Sequence, residues 1–94
     1  MEDDETTARV FGALSAETRV RILQLLKERA LCVNALAERL GVTSAAVSQH
    51  LRILRDAGLV TPDKRGYYVH YALNEETLAA WRGMANRLLG REPG

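Results

Sequence analysis

Apolar positions along the chain change their period, and the changes divide it into elements. Val10, Phe11 and Leu14 stand at helical spacing and predict a short first helix over residues 6–14. Ser15 is placed to cap a second helix, with Glu17 in its first turn. That helix, AETRVRILQLLKE, carries Val20, Ile22, Leu23, Leu25 and Leu26, too many apolar residues for one narrow stripe, so it is expected to pack on more than one side. VNALAERLGV follows, with Val33, Leu36, Ala37 and Leu40 on one face and Gly41 as its stop. Thr43 or Ser44 caps the next helix, TSAAVSQHLRILRDAG, which Gly58 ends. Two helices joined by a short turn containing glycine form a helix-turn-helix pattern, whose second helix can enter a DNA major groove.

After Gly58 the period falls to two. LVTPDK and YYVHYAL read as strands separated by Arg65-Gly66, a hairpin signal, and Pro62 suits an edge position. Tyr67, Val69, Tyr71 and Leu73 alternate with Tyr68, His70 and Ala72. Asn74 then caps a last helix from Glu75 to about Leu89, whose Leu78, Trp81, Met84, Ala85, Leu88 and Leu89 fall within about 140° of its circumference. The order is helix, helix, helix-turn-helix, hairpin, helix. The expected fold is therefore mainly α with a small β-hairpin, a winged helix-turn-helix forming one domain over 1–94, with an acidic tip at 1–5 and a frayed tail at 91–94.

Within the second helix of the motif, setting Ser44 at zero and stepping about 100° per residue gathers Val47, Leu51 and Leu54 on one side. Ser44, Ala45, Ser48, Gln49, Arg52 and Arg55 occupy the other. Small residues let the backbone approach base edges, and Gln49 can pair bidentately with adenine. Arg52 and Arg55 suit phosphates. Serine and alanine can also be indifferent surface residues, but the turn before them and the hairpin after them favour DNA recognition. At the hairpin tip, Lys64, Arg65 and Tyr67 beside Gly66 suit a loop lying along a phosphate backbone or entering the minor groove. Tyr68 and Tyr71 are expected to pack rather than to stack on bases.

Composition narrows the class. The 94 residues are 47% hydrophobic and 27% charged, with no apolar run approaching the length of a membrane span. The acidic start, MEDDETT, is unlike a secretory or transit sequence. A single cysteine favours a reducing compartment, so a cytoplasmic protein is expected. Net charge is only +1; Glu2, Asp3, Asp4 and Glu5 contribute −4 of it, leaving +5 on the remaining chain. A moderately basic body of this kind is compatible with nucleic acid. No glycine-rich phosphate loop, paired carboxylates or catalytic triad is evident, and Ser48 and His50 face different ways on one helix, so an enzyme is not expected.

LSAETRVRILQLL, LCVNALAERLGVTSAAVSQHLRILRDAGLV and RGYYVHYAL together resemble successive signatures of the ArsR family of bacterial winged-helix repressors, from about Phe11 to Leu73. The resemblance implies a homodimer that binds double-stranded operator DNA and represses transcription. It implies base contacts at Ser44, Ala45, Ser48 and Gln49, although members often carry Gln where this chain has Ser44. It also implies dimerisation through the first and last helices, with Val10, Phe11, Leu78, Trp81, Ala85 and Leu88 as the candidate interface.

Many metal-sensing members read Cys-Val-Cys-Asp where this chain reads Cys32-Val33-Asn34-Ala35. Soft-metal sites need two or three thiolates, and this chain has one. A second family site uses Asp and His on the last helix, and residues 74–94 contain no Asp, His or Cys. No metal site and no cofactor are therefore expected. Cys32 reads as a small core hydrophobe, with redox activity beside a helix start as the alternative. His50, on the apolar side of its helix, is expected to be a hydrogen-bonded structural residue, and His70 a solvated or DNA-proximal one. Whether the repressor answers to a small-molecule inducer, to a metal or a thiol oxidant at Cys32, or to nothing stays open at this point. So does a winged-helix protein-interaction module without DNA binding, because residues 43–73 carry a net charge of only +2, from Arg52, Arg55, Lys64 and Arg65 against Asp56 and Asp63.

Overall fold

Five helices and three strands are arranged in a computed structural model that describes residues 4–90. They run α1 (Asp4–Ala13), α2 (Glu17–Leu26), β1 (Leu31–Cys32), α3 (Val33–Leu40), α4 (Ser44–Asp56), β2 (Val60–Arg65), β3 (Tyr68–Leu73) and α5 (Glu75–Leu89). The winged helix-turn-helix is as expected, with one addition and several shifts at element ends. The tail at 91–94, and Glu2 and Asp3 of the acidic tip, lie outside the described residues.

Asp4 and Glu5 belong to the first turn of α1, so the helix begins earlier than the apolar spacing suggested. Carboxylates there are favoured by the unpaired N–H groups of a helix start, and Glu5 also reaches Arg9 one turn on at 3.7 Å. Ser15 does not cap α2. Its hydroxyl donates back to the Gly12 carbonyl at 2.7 Å, closing α1, and the residue before α2 is Ala16, which makes no side-chain cap. The entry to α2 is held instead by Arg19, whose Nε donates to the Ala13 carbonyl at 2.7 Å.

The motif helices are bounded by local chemistry. Gly41 takes the left-handed conformation (φ 69°) and its N–H donates to the Ala37 carbonyl at 2.9 Å, ending α3. Thr43 caps α4 by accepting from Ala46 N–H at 3.1 Å. Gly58 ends α4 at φ 80°; the N–H of Leu59 reaches back to the Leu54 carbonyl at 2.9 Å and that of Gly58 to Arg55 at 2.8 Å, the paired bonds of a Schellman ending.

The core lies beneath these helices. Ile22 of α2, Leu36 of α3, Val47 and Leu54 of α4, and Leu59 are fully buried, and Leu51 and Val60 nearly so. α2 packs on α3, α4 and β3, which is why its apolar residues exceed one stripe. No polar or charged side chain is buried among the described residues.

The addition is β1. Its two residues pair antiparallel with β3, Leu31 opposite Tyr71 and Cys32 opposite His70, giving a three-stranded sheet ordered β1-β3-β2. Leu31 is buried in the core cluster, whereas Cys32 is half-buried on an edge strand and is not the core hydrophobe expected of it. Alternation along a strand sends neighbours to opposite faces, so the burial of Leu31 turns Cys32 away from the core. The hairpin turns at Gly66-Tyr67, one residue later than the sequence suggested, with Arg65 paired to Tyr68. Only Gly66 has positive φ (64°), as in a two-residue II′ turn.

Candidate nucleic-acid interface

Burial along α4 follows its helical angle. Val47, Leu51 and Leu54 seal against α2, while Ser44, Ala45, Ser48, Gln49, Arg52 and Arg55 are all exposed on the outer side. The first two outward turns hold only small or hydrogen-bonding side chains, with the guanidinium groups in the later turns. This surface is contoured for close approach near its start and carries positive charge near its end. Ile53 also faces outward, an apolar residue that the angular reading left unassigned.

His50, on the inner side, is half-buried and lies 3.1 Å from Arg19 through Nδ1 and Nη1. A guanidinium can only donate, so Nδ1 accepts and the imidazole proton of the neutral ring sits on Nε2. Arg19 thereby joins the end of α1, the start of α2 and the middle of α4. The expected hydrogen-bonded role of His50 is met by a residue 31 positions away, for which the sequence offers no spacing signal.

At the wing, Lys64 and Arg65 point to opposite faces because they are adjacent in β2. Arg65 shares its face with Asp63, two residues earlier, and Nε donates to Asp63 Oδ2 at 2.9 Å. Both side chains are more than half exposed, so water screens the pair heavily and it contributes little to stability. Its effect is on local charge, since Asp63 offsets Arg65 and leaves Lys64 on the other face. The period-two pattern around Pro62 could have revealed this pair. Tyr67 is fully exposed at the turn. Tyr71 packs against the core as expected, but Tyr68 is mostly exposed because its register partner is Arg65 at the tip. His70 is half-buried opposite both Cys32 and Asp63, and its Nδ1 is buried without a hydrogen-bond partner, so it is not a freely solvated wing residue.

The segment resembling a metal motif does not fit a metal. Cys32, the residue before α3, is the single thiol; the next ligand position is Asn34, which accepts a hydrogen bond from Ser44 at 3.2 Å, and Ala35 has no donor atom. No three His, Cys, Asp or Glu side chains gather closely enough to hold a metal among the described residues.

The proposed subunit contacts divide in two. Val10 is only 7% exposed within the single chain, and Met84 is equally buried, yet both lie outside the main core cluster. Phe11 and Trp81 are half-buried with ring centroids 6.4 Å apart at 37°, joining α1 to α5, and Leu78 and Trp81 also lean on the core. Ala85 is half-buried. Beyond it, Leu88 and Leu89 are 58% and 75% exposed.

A sequence model of a family described as "Bacterial regulatory protein, arsR family" matches residues 16–61, from the start of α2 into β2. The transcriptional repressor SdpR of Bacillus subtilis (strain 168) is 35% identical over 69 residues, covering 73% of this chain and 77% of that protein. The HTH-type transcriptional repressor SmtB of Mycobacterium tuberculosis is 39% identical over 75 residues, covering 80% of this chain but only 56% of that longer protein. Among solved structures, an ArsR-like transcriptional regulator from Rhodococcus sp. RHA1 superimposes with a TM-score of 0.81 at 34% identity, covering 89% of this chain and 79% of that one.

Proposed function

Because the chain belongs to the ArsR family of bacterial regulatory proteins and is a DNA-binding transcriptional regulator rather than an enzyme, we propose that it is a homodimeric repressor that recognises one operator sequence through α4 and the wing. The observation that carries this reading is the outer face of α4. Its exposed Ser44, Ala45, Ser48 and Gln49 meet base edges, Gln49 pairing with adenine, while Arg52 and Arg55 contact phosphates. Lys64, Arg65 and Tyr67 extend the contact along the backbone beside the α4 site.

Dimerisation is supported by apolar surface that the single chain leaves open. Leu88 and Leu89 continue the stripe of Leu78, Trp81 and Ala85 along α5 into solvent. The radius of gyration is 14.4 Å, against about 12 Å for a compact chain of this length. α5 with α1, including Val10 and Phe11, forms the subunit seam, and two α4 helices then face successive major grooves.

In this reading no metal acts at Cys32, because Asn34 and Ala35 replace the ligands that would complete the site. No described helix is long and apolar enough to cross a membrane, and the repressor is proposed to work in the cytoplasm.

The test is a fluorescence-anisotropy titration with DNA from upstream of its own gene, at two salt concentrations, against a scrambled duplex. Binding that is tight, falls with salt and prefers the native fragment supports the repressor. Equal weak binding to both duplexes places the operator elsewhere. No binding at low salt favours a protein partner for the winged helix.

A further inference from the structure

Asn34 and Ser44 lie on different helices, yet they are tied across the turn: Ser44 Oγ donates to Asn34 Oδ1 at 3.2 Å. Neither helix depends on this bond to form. Thr43 already caps α4, its Oγ1 accepting from Ala46 N–H, and α3 starts from extended backbone at Cys32 without a side-chain cap. The bond instead settles what Ser44 can offer outward. A serine hydroxyl carries one hydrogen and two lone pairs. With its hydrogen directed back to Asn34, Ser44 presents only lone pairs on the exposed first turn of α4.

In a major groove that asymmetry selects partners. An oxygen offering only lone pairs accepts from the amino groups of adenine N6 or cytosine N4. It finds no donor on guanine N7 and O6, on thymine O4 or on phosphate oxygens. We propose that Asn34 sets the base preference at the start of the recognition helix by holding Ser44 as an acceptor, so that this position reads adenine or cytosine on the strand it faces. The inference rests on the DNA-binding reading above and deepens it. Asn34 is a positioning residue that acts through Ser44, at the very position where a metal-sensing motif would hold its second thiolate.

The experiment is selection of bound sequences from a randomised duplex pool by the full chain, its Asn34→Ala, Asn34→Asp and Ser44→Ala variants, followed by sequencing. Ser44→Ala identifies the base position that Ser44 reads, as the one whose preference is lost. There the unaltered protein is expected to favour adenine or cytosine by about three- to tenfold, the scale of one net hydrogen bond. Asn34→Ala frees the hydroxyl to donate and should flatten that preference or turn it toward guanine or thymine. Asn34→Asp keeps an acceptor for the hydroxyl, so the preference should persist while the added charge lowers affinity for every sequence. Both residues are exposed, so the variants are expected to fold, as thermal melting by circular dichroism checks.

An Asn34→Ala profile that superimposes on that of the unaltered protein overturns the proposal. So does a preference at the Ser44 position that groups adenine with guanine or with thymine on one strand rather than with cytosine, or a Ser44→Ala variant that loses no preference anywhere. If the unaltered protein selects no sequence at all, the DNA-binding reading itself fails, a result distinct from the other three.

Discussion

The helix-turn-helix and the α1–α5 pair are built to different degrees of completion. In α3 and α4 Leu36, Ala37, Leu40, Val47, Leu51 and Leu54 are buried, the turn is closed by the Gly41 N–H on the Ala37 carbonyl and by the Thr43 cap, and Leu36, Val47 and Leu54 have no exposed surface. In α1 and α5 burial is partial. Phe11 and Trp81 meet at 6.4 Å but stay half-exposed, and the stripe on α5 runs out into solvent at Leu88 and Leu89. A tightly packed motif holds its outer face rigid enough to present fixed hydrogen-bonding groups. An apolar pair left half-covered gains further stability only from another surface, and in the proposed homodimer a second copy supplies the same stripe in return.

The sharpest way to break this contrast is to open the tighter region. Leu54→Ala should cost about 2–5 kcal/mol in urea unfolding, because the packed site collapses only partly around the cavity; a loss below 1 kcal/mol would mean that the motif core is as loose as the α1–α5 pair. Next in size, Gln49→Ala should weaken specific binding by about 1–3 kcal/mol without changing the melting temperature, if the rigid face reads bases. An affinity for operator DNA left unchanged by the substitution would remove Gln49 from the base-reading residues.

A side-chain cap in each region sharpens the comparison. Thr43 serves α4 at 3.1 Å and Asn74 serves α5 by accepting from Thr77 N–H at 3.2 Å. Thr43→Ala and Asn74→Ala should each cost about 1 kcal/mol, measured by chemical denaturation. A far larger loss for Thr43 would show that the turn depends on its cap more than on its core. The smallest effect on folding belongs to Leu88→Asp, within about 0.5 kcal/mol for an exposed site, with an unchanged far-ultraviolet spectrum. Its effect on assembly is expected to be complete, with sedimentation giving monomer where the unaltered chain gives dimer. A persistent dimer would place the seam elsewhere.

Local chemistry was open to reading from the residues in order. Gly41 and Gly58 occupy left-handed positions after helices, Asn74 accepts from an N–H three residues on, and Val47, Leu51 and Leu54 recur at helical spacing. Those features depend on neighbours within one or two turns, so the winged helix-turn-helix and the outward residues of α4 could be inferred before any coordinates. Capping choices between adjacent candidates were harder. Ser15 is as good a cap by type as any, and only the direction of its hydroxyl toward Gly12 shows that it closes α1 instead.

Pairings between distant residues needed the folded chain. A two-residue strand has no detectable period, so β1 exists only because β3 lies beside Leu31 and Cys32. Arg19 finds His50, and Ser44 finds Asn34, through packing that brings separate helices together. The same packing sets Cys32 on an edge opposite His70 and ties Asn34 to α4. Sequence order carries the elements because their hydrogen bonds are local, whereas long-range partners follow from how buried faces dock, which no short stretch of residues encodes.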